Sequence, residues 1–115
     1  MPVTLEVQRK EHLSIYQAKK IDPKTNEVSE SLSQRHFCKI CGSHLWSWNS
    51  TWPDLMHPHA GSIDTELPAP PEHRYIMLGS KASWVPILLD ENDQSFEEYP
   101  IESISDWHAR LGLTQ

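Results

Sequence analysis

The residues best suited to chemistry are the only two cysteines, Cys38 and Cys41, set in Phe37-Cys38-Lys39-Ile40-Cys41-Gly42-Ser43-His44. Two residues between the thiols let the backbone curl so that both sulfurs face one tetrahedral cation, and zinc is the metal this outline predicts. Glycine directly after the second cysteine tolerates the positive φ that such a turn requires. A structural zinc site takes four donors, and this pair supplies two. His36 and His44 flank the pair, while His57 and His59, two residues apart, would share one face of a strand. Two of these would complete a mixed set of two cysteines and two histidines. Pairing of two such knuckles across a homodimer would complete an all-cysteine set of four. For any one histidine, a surface or hydrogen-bonded role is commoner than metal ligation. A redox dithiol would want Cys38 at a helix N-terminus, yet Gln34–Phe37 and Leu45–Trp48 read as strands. Two uncoordinated thiols on a hairpin is the remaining alternative.

The elements that must position these residues are short and mostly extended. Alternation predicts strands over Val3–Val7, His12–Ala18, Ser33–Phe37, Leu45–Asn49, Leu55–Ile63 and Arg74–Leu78. Asp22-Pro23-Lys24-Thr25-Asn26 has turn chemistry, so the second and third of these strands are expected to form a hairpin. Pro68, Pro70 and Pro71 remove backbone donors and mark a connecting loop. A helix is expected near the C-terminus, where Ser103 is followed three residues later by Asp106 and Gly112 supplies the stop. The fold class is therefore mostly β, with packed antiparallel sheets, a knuckle hairpin and one short C-terminal helix. Trp46 and Trp48 share a face, Trp52 and Trp84 are candidates to join them, and the cluster reads as core before it reads as a pocket wall.

At 115 residues and 13.3 kDa the chain is expected to form a single domain over residues 1–115. Two cysteines exclude a secreted scaffold held by several disulfides. The longest apolar run, Val85–Leu89, falls far short of the roughly 20 residues that span a bilayer. The N-terminus lacks the basic and apolar blocks of a secretory signal, so a cytoplasmic location is expected. Net charge is −6 but uneven, +2 over residues 1–50 and −8 over residues 51–115. Nucleic-acid binding needs clustered cations, and this pattern argues against it. Asp90, Glu91, Asp93, Glu97 and Glu98 read as a solvated acidic loop.

Three stretches carry a resemblance to a known family. They are Arg35–Leu45 around the cysteines, Ala60-Gly61-Ser62-Ile63-Asp64, and Leu78-Gly79-Ser80-Lys81-Ala82-Ser83-Trp84-Val85; Pro100 followed by Ser103–His108 is also similar. Together they run from Arg35 to Gly112 and resemble the glutathione-dependent formaldehyde-activating enzymes, also called the centromere-protein-V-like family. The resemblance implies an Mss4-like fold, a structural zinc and a catalytic zinc. It further implies carbon–sulfur lyase chemistry that joins glutathione, a small-molecule thiol partner, to formaldehyde as S-hydroxymethylglutathione. Cys38 and Cys41 match the family's CxxC metal ligands. The family's N-terminal CxC pair and its catalytic CxCxxC have no counterparts here, because residues 1–35 contain no cysteine. Pro2–Val7 matches the strand that follows those catalytic cysteines, so the chain is expected to begin just after them. It reads as catalytically incomplete, with no catalytic residue assigned, and the alternative is a non-catalytic β module whose knuckle is a structural or partner-binding clip.

Overall fold

The computed structural model describes residues 5–113, whose backbone groups into two compact units, residues 5–67 and residues 68–113. The first unit is the β unit. Its strands are β1 (Leu13–Tyr16), β2 (Lys19–Ile21), β3 (Val28–Glu30), β4 (Ser33–Cys38), β5 (His44–Asn49) and β6 (Met56–Pro58). β1, β4, β5 and β6 form an antiparallel sheet in the order β1-β4-β5-β6.

The expected pairing of the second strand with the third is present, from Leu13 opposite Cys38 to Tyr16 opposite Arg35. The Asp22–Asn26 turn does not join them directly. It closes a separate two-stranded ribbon, β2–β3, inserted between β1 and β4. Asp22 Oδ1 accepts the Lys24 and Thr25 N–H groups at 2.7 and 3.2 Å, and Asn26 takes the left-handed conformation at φ 59°. An Asx turn of this kind satisfies donors that would otherwise be lost.

Several strands are shorter than alternation predicts. Val3 and Thr4 of the first expected strand lie outside the described residues, and Leu5–Val7 is irregular. Residues 10–12 form a 3-10 turn before β1. Within the Leu55–Ile63 run only Met56–Pro58 is a strand, and Ala60–Ser62 is another 3-10 turn. β4 and β5 pair with one irregularity. His36 faces Trp46 but Phe37 faces His44, so Leu45 is an extra residue on β5, which makes a β-bulge.

In the second unit β7 (Arg74–Tyr75) pairs with β8 (Gln94–Ser95), and this small ribbon is parallel. The expected helix α1 spans Ile104–Arg110. Its N-terminus is a reciprocal cap, with Ser103 Oγ accepting Asp106 N–H at 3.0 Å and donating to Asp106 Oδ2 at 2.8 Å. Gly112 ends it at φ 67°, and Leu113 N–H reaches back to the His108 carbonyl. Ser103→Ala is expected to destabilise α1 by about 1 kcal/mol, read as faster amide exchange at Trp107 and Leu111.

Apolar side chains are only partly covered, and none of the described residues is fully buried. Trp46 and Trp48 are half-buried on one face of β5, as expected. Trp52 and Trp84 are not core, being 55% and 82% exposed, because each lies in a turn outside the strands. Among the described residues no helix is long and apolar enough to cross a membrane.

Candidate metal centre

The knuckle sits at the tip of the β4–β5 hairpin, with Cys38 ending β4 and Cys41 exposed in the turn. Two backbone bonds shape that turn. Gly42 N–H donates to the Cys38 carbonyl at 2.7 Å, and Cys38 N–H donates to the Ser43 carbonyl at 2.9 Å. Gly42 holds φ +80°, where a side chain would be strained although nothing lies near its missing Cβ. Glycine is needed here for backbone shape and not for space.

Ser43 sets the electrostatics. Its hydroxyl oxygen lies 3.3 Å from Cys41 Sγ. Hydrogen bonding from the Ser43 hydroxyl, then from its backbone and from the Cys38 thiol, holds the Cys41 thiol below the ordinary cysteine range. A thiol poised toward thiolate is a better metal ligand and a faster nucleophile. In metal-free protein, Ser43→Ala is expected to move the pH profile of Cys41 alkylation upward. A profile unchanged from wild type would remove Ser43 from this role.

The histidines named with the cysteines take other places. His36 stacks on Trp46 at 4.7 Å with 15° between the rings, and its buried Nδ1 has no hydrogen-bond partner among the described residues. His44 and His59 meet each other, with His59 Nε2 3.0 Å from His44 Nδ1. His57 lies on β6 opposite Ser47. Among the described residues, the two sulfurs belong to no group of three or more His, Cys, Asp or Glu ligand atoms within 4.8 Å of one another. The knuckle therefore fits one half of a tetrahedral shell, a converging thiol pair on a glycine turn. His57 and His59 flank Pro58, the last residue of β6, and His59 keeps an extended backbone at φ −75° and ψ 132° while its ring meets His44.

Two further clusters were missed by sequence reasoning. His73, Asp90 and Asp93 bring three ligand atoms together. Asp93 is not the solvated charge expected of that loop: its side chain is 3% exposed and accepts N–H bonds from His73 at 2.7 Å and Asp90 at 3.0 Å. Those bonds hold its carboxyl below the usual range. Glu72 and Glu102, 30 residues apart in number, grip Arg74, Arg110 and Trp107 around α1. Neither cluster has a spacing signal, since partners such as His73 and Asp93, 20 apart in number, and Glu72 and Arg110, 38 apart, are distant along the chain.

With this geometry in place, similarity to known proteins decides the lineage. A protein of Halomonas elongata that carries the provisional name glutathione-dependent formaldehyde-activating enzyme is 50% identical over 112 residues, which is 97% of this chain and 68% of that relative. The chain belongs to the glutathione-dependent formaldehyde-activating enzyme family. No family model matches the chain, and no solved structure matches it. The mostly β fold with antiparallel sheets and one short C-terminal helix expected from alternation and capping agrees with the structure.

Proposed function

We propose that this protein is a zinc-binding member of its family whose Cys38 and Cys41 supply two of the four ligands of a structural zinc, and whose chemistry is directed at glutathione and formaldehyde. The observation that carries the reading is the 50% identity along 97% of the chain to a relative named for that reaction. The convergent thiols and the glycine turn support the zinc half-site. In the reaction the glutathione sulfur forms a bond to the formaldehyde carbon, the carbonyl π pair moves to oxygen, and the thiol proton ends on that oxygen. A zinc ion, when bound, stabilises thiolate and so favours the sulfur nucleophile. The chain's own part is to hold the turn: Gly42 sets its curvature and Ser43 keeps Cys41 toward thiolate.

Two sulfurs are too few for a structural and a catalytic site together. The 115 residues by themselves are proposed to be catalytically incomplete. The apolar-rimmed cleft of about 490 Å³ in the first unit, between Leu5–Gln8 and Trp46, Met56 and Pro58, does not suit glutathione. Among the described residues Glu6 and Asp64 line it and no lysine or arginine does, so it would repel the tripeptide's carboxylates.

Two measurements test the reading. Elemental analysis of purified protein is expected to find zinc: one per chain points to histidine completion, and one per two chains points to a four-cysteine site shared in a homodimer. No zinc would overturn the metal half and favour the alternative of a non-catalytic β module. Following formaldehyde and glutathione by NMR, we expect no S-hydroxymethylglutathione above the uncatalysed rate with the 115-residue chain. Catalysis by that chain would overturn the incompleteness.

A further inference from the structure

We propose that His44 and His59 form a two-histidine clamp for a borderline divalent transition cation such as Cu2+, separate from the cysteine pair. The facing nitrogens, His44 Nδ1 and His59 Nε2, are 3.0 Å apart, and the rings meet edge to face with centroids 4.4 Å apart. Two imidazole nitrogens on one ion at about 2.0–2.1 Å stand roughly 2.9 Å apart in a square-planar cis arrangement and roughly 3.3 Å apart in a tetrahedral one. The observed separation lies between these, so either geometry needs shifts of a few tenths of an ångström.

The tautomers are set for ligation. His44 Nε2 lies 3.0 Å from the Trp46 carbonyl, which only accepts, so Nε2 carries the proton and Nδ1 presents its lone pair. A ligand imidazole whose other nitrogen donates to a backbone carbonyl is the usual supporting arrangement around bound metals. Ser47 Oγ, 3.3 Å from the same Nε2, adds a second polar contact. In the metal-free pair the His59 Nε2 proton bridges to His44 Nδ1. On binding, that proton moves through solvent to His59 Nδ1, the ion takes its place, and both rings remain neutral.

The backbone holds both rings in advance. His44 opens β5, and His59 N–H donates to the Leu45 carbonyl at 2.9 Å. Ser62 Oγ reaches both the Leu45 carbonyl, at 3.0 Å, and the His59 carbonyl, at 2.7 Å. This pins the segment after β6 to the start of β5. Both histidines are exposed, so the remaining coordination positions open to water or to an added donor.

The test uses the full chain loaded with zinc and freed of excess metal, so that the cysteines are occupied and do not compete as ligands. Cu2+ is titrated in and followed by electron paramagnetic resonance and calorimetry. One equivalent is expected to bind with the hyperfine pattern of two imidazole nitrogens. His44→Asn and His59→Asn are each expected to weaken binding by at least about tenfold, because either change turns a chelate into a single contact. His57→Asn, which lies outside the pair, is expected to leave affinity unchanged. A spectrum with fewer than two nitrogens would overturn the clamp without recourse to any variant. So would a smaller loss in either variant, or an equal loss in His57→Asn.

Discussion

Replacing Cys38 with serine is expected to release zinc and to destabilise the β unit by several kcal/mol, because metal affinity at a structural site is folding free energy. Without metal the same change at a hairpin tip is worth about 1 kcal/mol or less. Denaturant melts of wild type and Cys38→Ser, each with and without a chelator, separate the two cases. Four curves in which the chelator and the mutation have the same, non-additive effect would support the metal reading. A mutant as stable as wild type in both conditions would count against it. Cys41→Ser is expected to follow Cys38→Ser, since one remaining sulfur leaves a still smaller part of the shell.

The second large effect lies in the other unit. Glu72→Ala is expected to release α1, so that its amides exchange at the rate of a free peptide. One oxygen, Glu72 Oε1, accepts from Trp107 Nε1 at 2.7 Å, from Arg110 at 2.6 Å and from Arg74 at 3.1 Å. Glu102 also accepts from both arginines, from Arg74 Nη2 at 2.6 Å and Arg110 Nε at 2.7 Å. A helix of seven residues does not hold itself together in water, so these contacts decide whether it forms. Acid should do what the mutation does. The hydrogen bond from Arg110, then those from Trp107 and Arg74, and last the Arg110 charge hold the Glu72 carboxyl below its ordinary value of 4.5, and the Arg110 hydrogen bond and charge do the same for Glu102. The unfolded carboxylates bind protons first as pH falls, so the stabilisation is complete well above pH 4.5 and is lost as pH drops through the folded values. Protection of α1 is therefore expected to be flat near neutrality and to fall in acid, earlier in high salt because the arginines are partly exposed. Protection that survives protonation of both carboxylates in strong acid in wild type, or that persists near neutrality in Glu72→Ala, would show that packing and not this network holds the helix.

What the sequence displayed was whatever depends on neighbours along the chain. The Ser103 and Asp106 cap, the Gly112 stop, the Asp22 turn and the glycine after Cys41 all have local signatures, and each is present in the structure. The parts that stayed hidden depend on where strands stop and slip. Proline at position 58 closes β6 one residue before His59, which stays extended, donates its N–H to the Leu45 carbonyl and meets His44 with its ring. The four-stranded order required recognising that Asp22–Asn26 closes an inserted ribbon, and no residue type announces that. Glu72, Trp107 and Arg110 converge across more than thirty residues, where periodicity carries no information. The acidic loop misled for a related reason: charge density says nothing about one carboxylate turning inward to cap two backbone donors, as Asp93 does.

The additional residue at Leu45 works as a half-step in the ladder. Upstream of it, Ile15, His36, Trp46 and Pro58 stand in one row across four strands; beyond it, Phe37 takes the partner that Cys38 would have met in an unbroken zip. Shortening β5 by that residue would restore perfect alternation and, with it, turn His44 and the cysteine turn onto the opposite side of the sheet. Length changes between His36 and Trp46 should thus be tolerated only as compensating pairs, one on each strand, a constraint on lineage drift that no substitution within the turn itself would reveal.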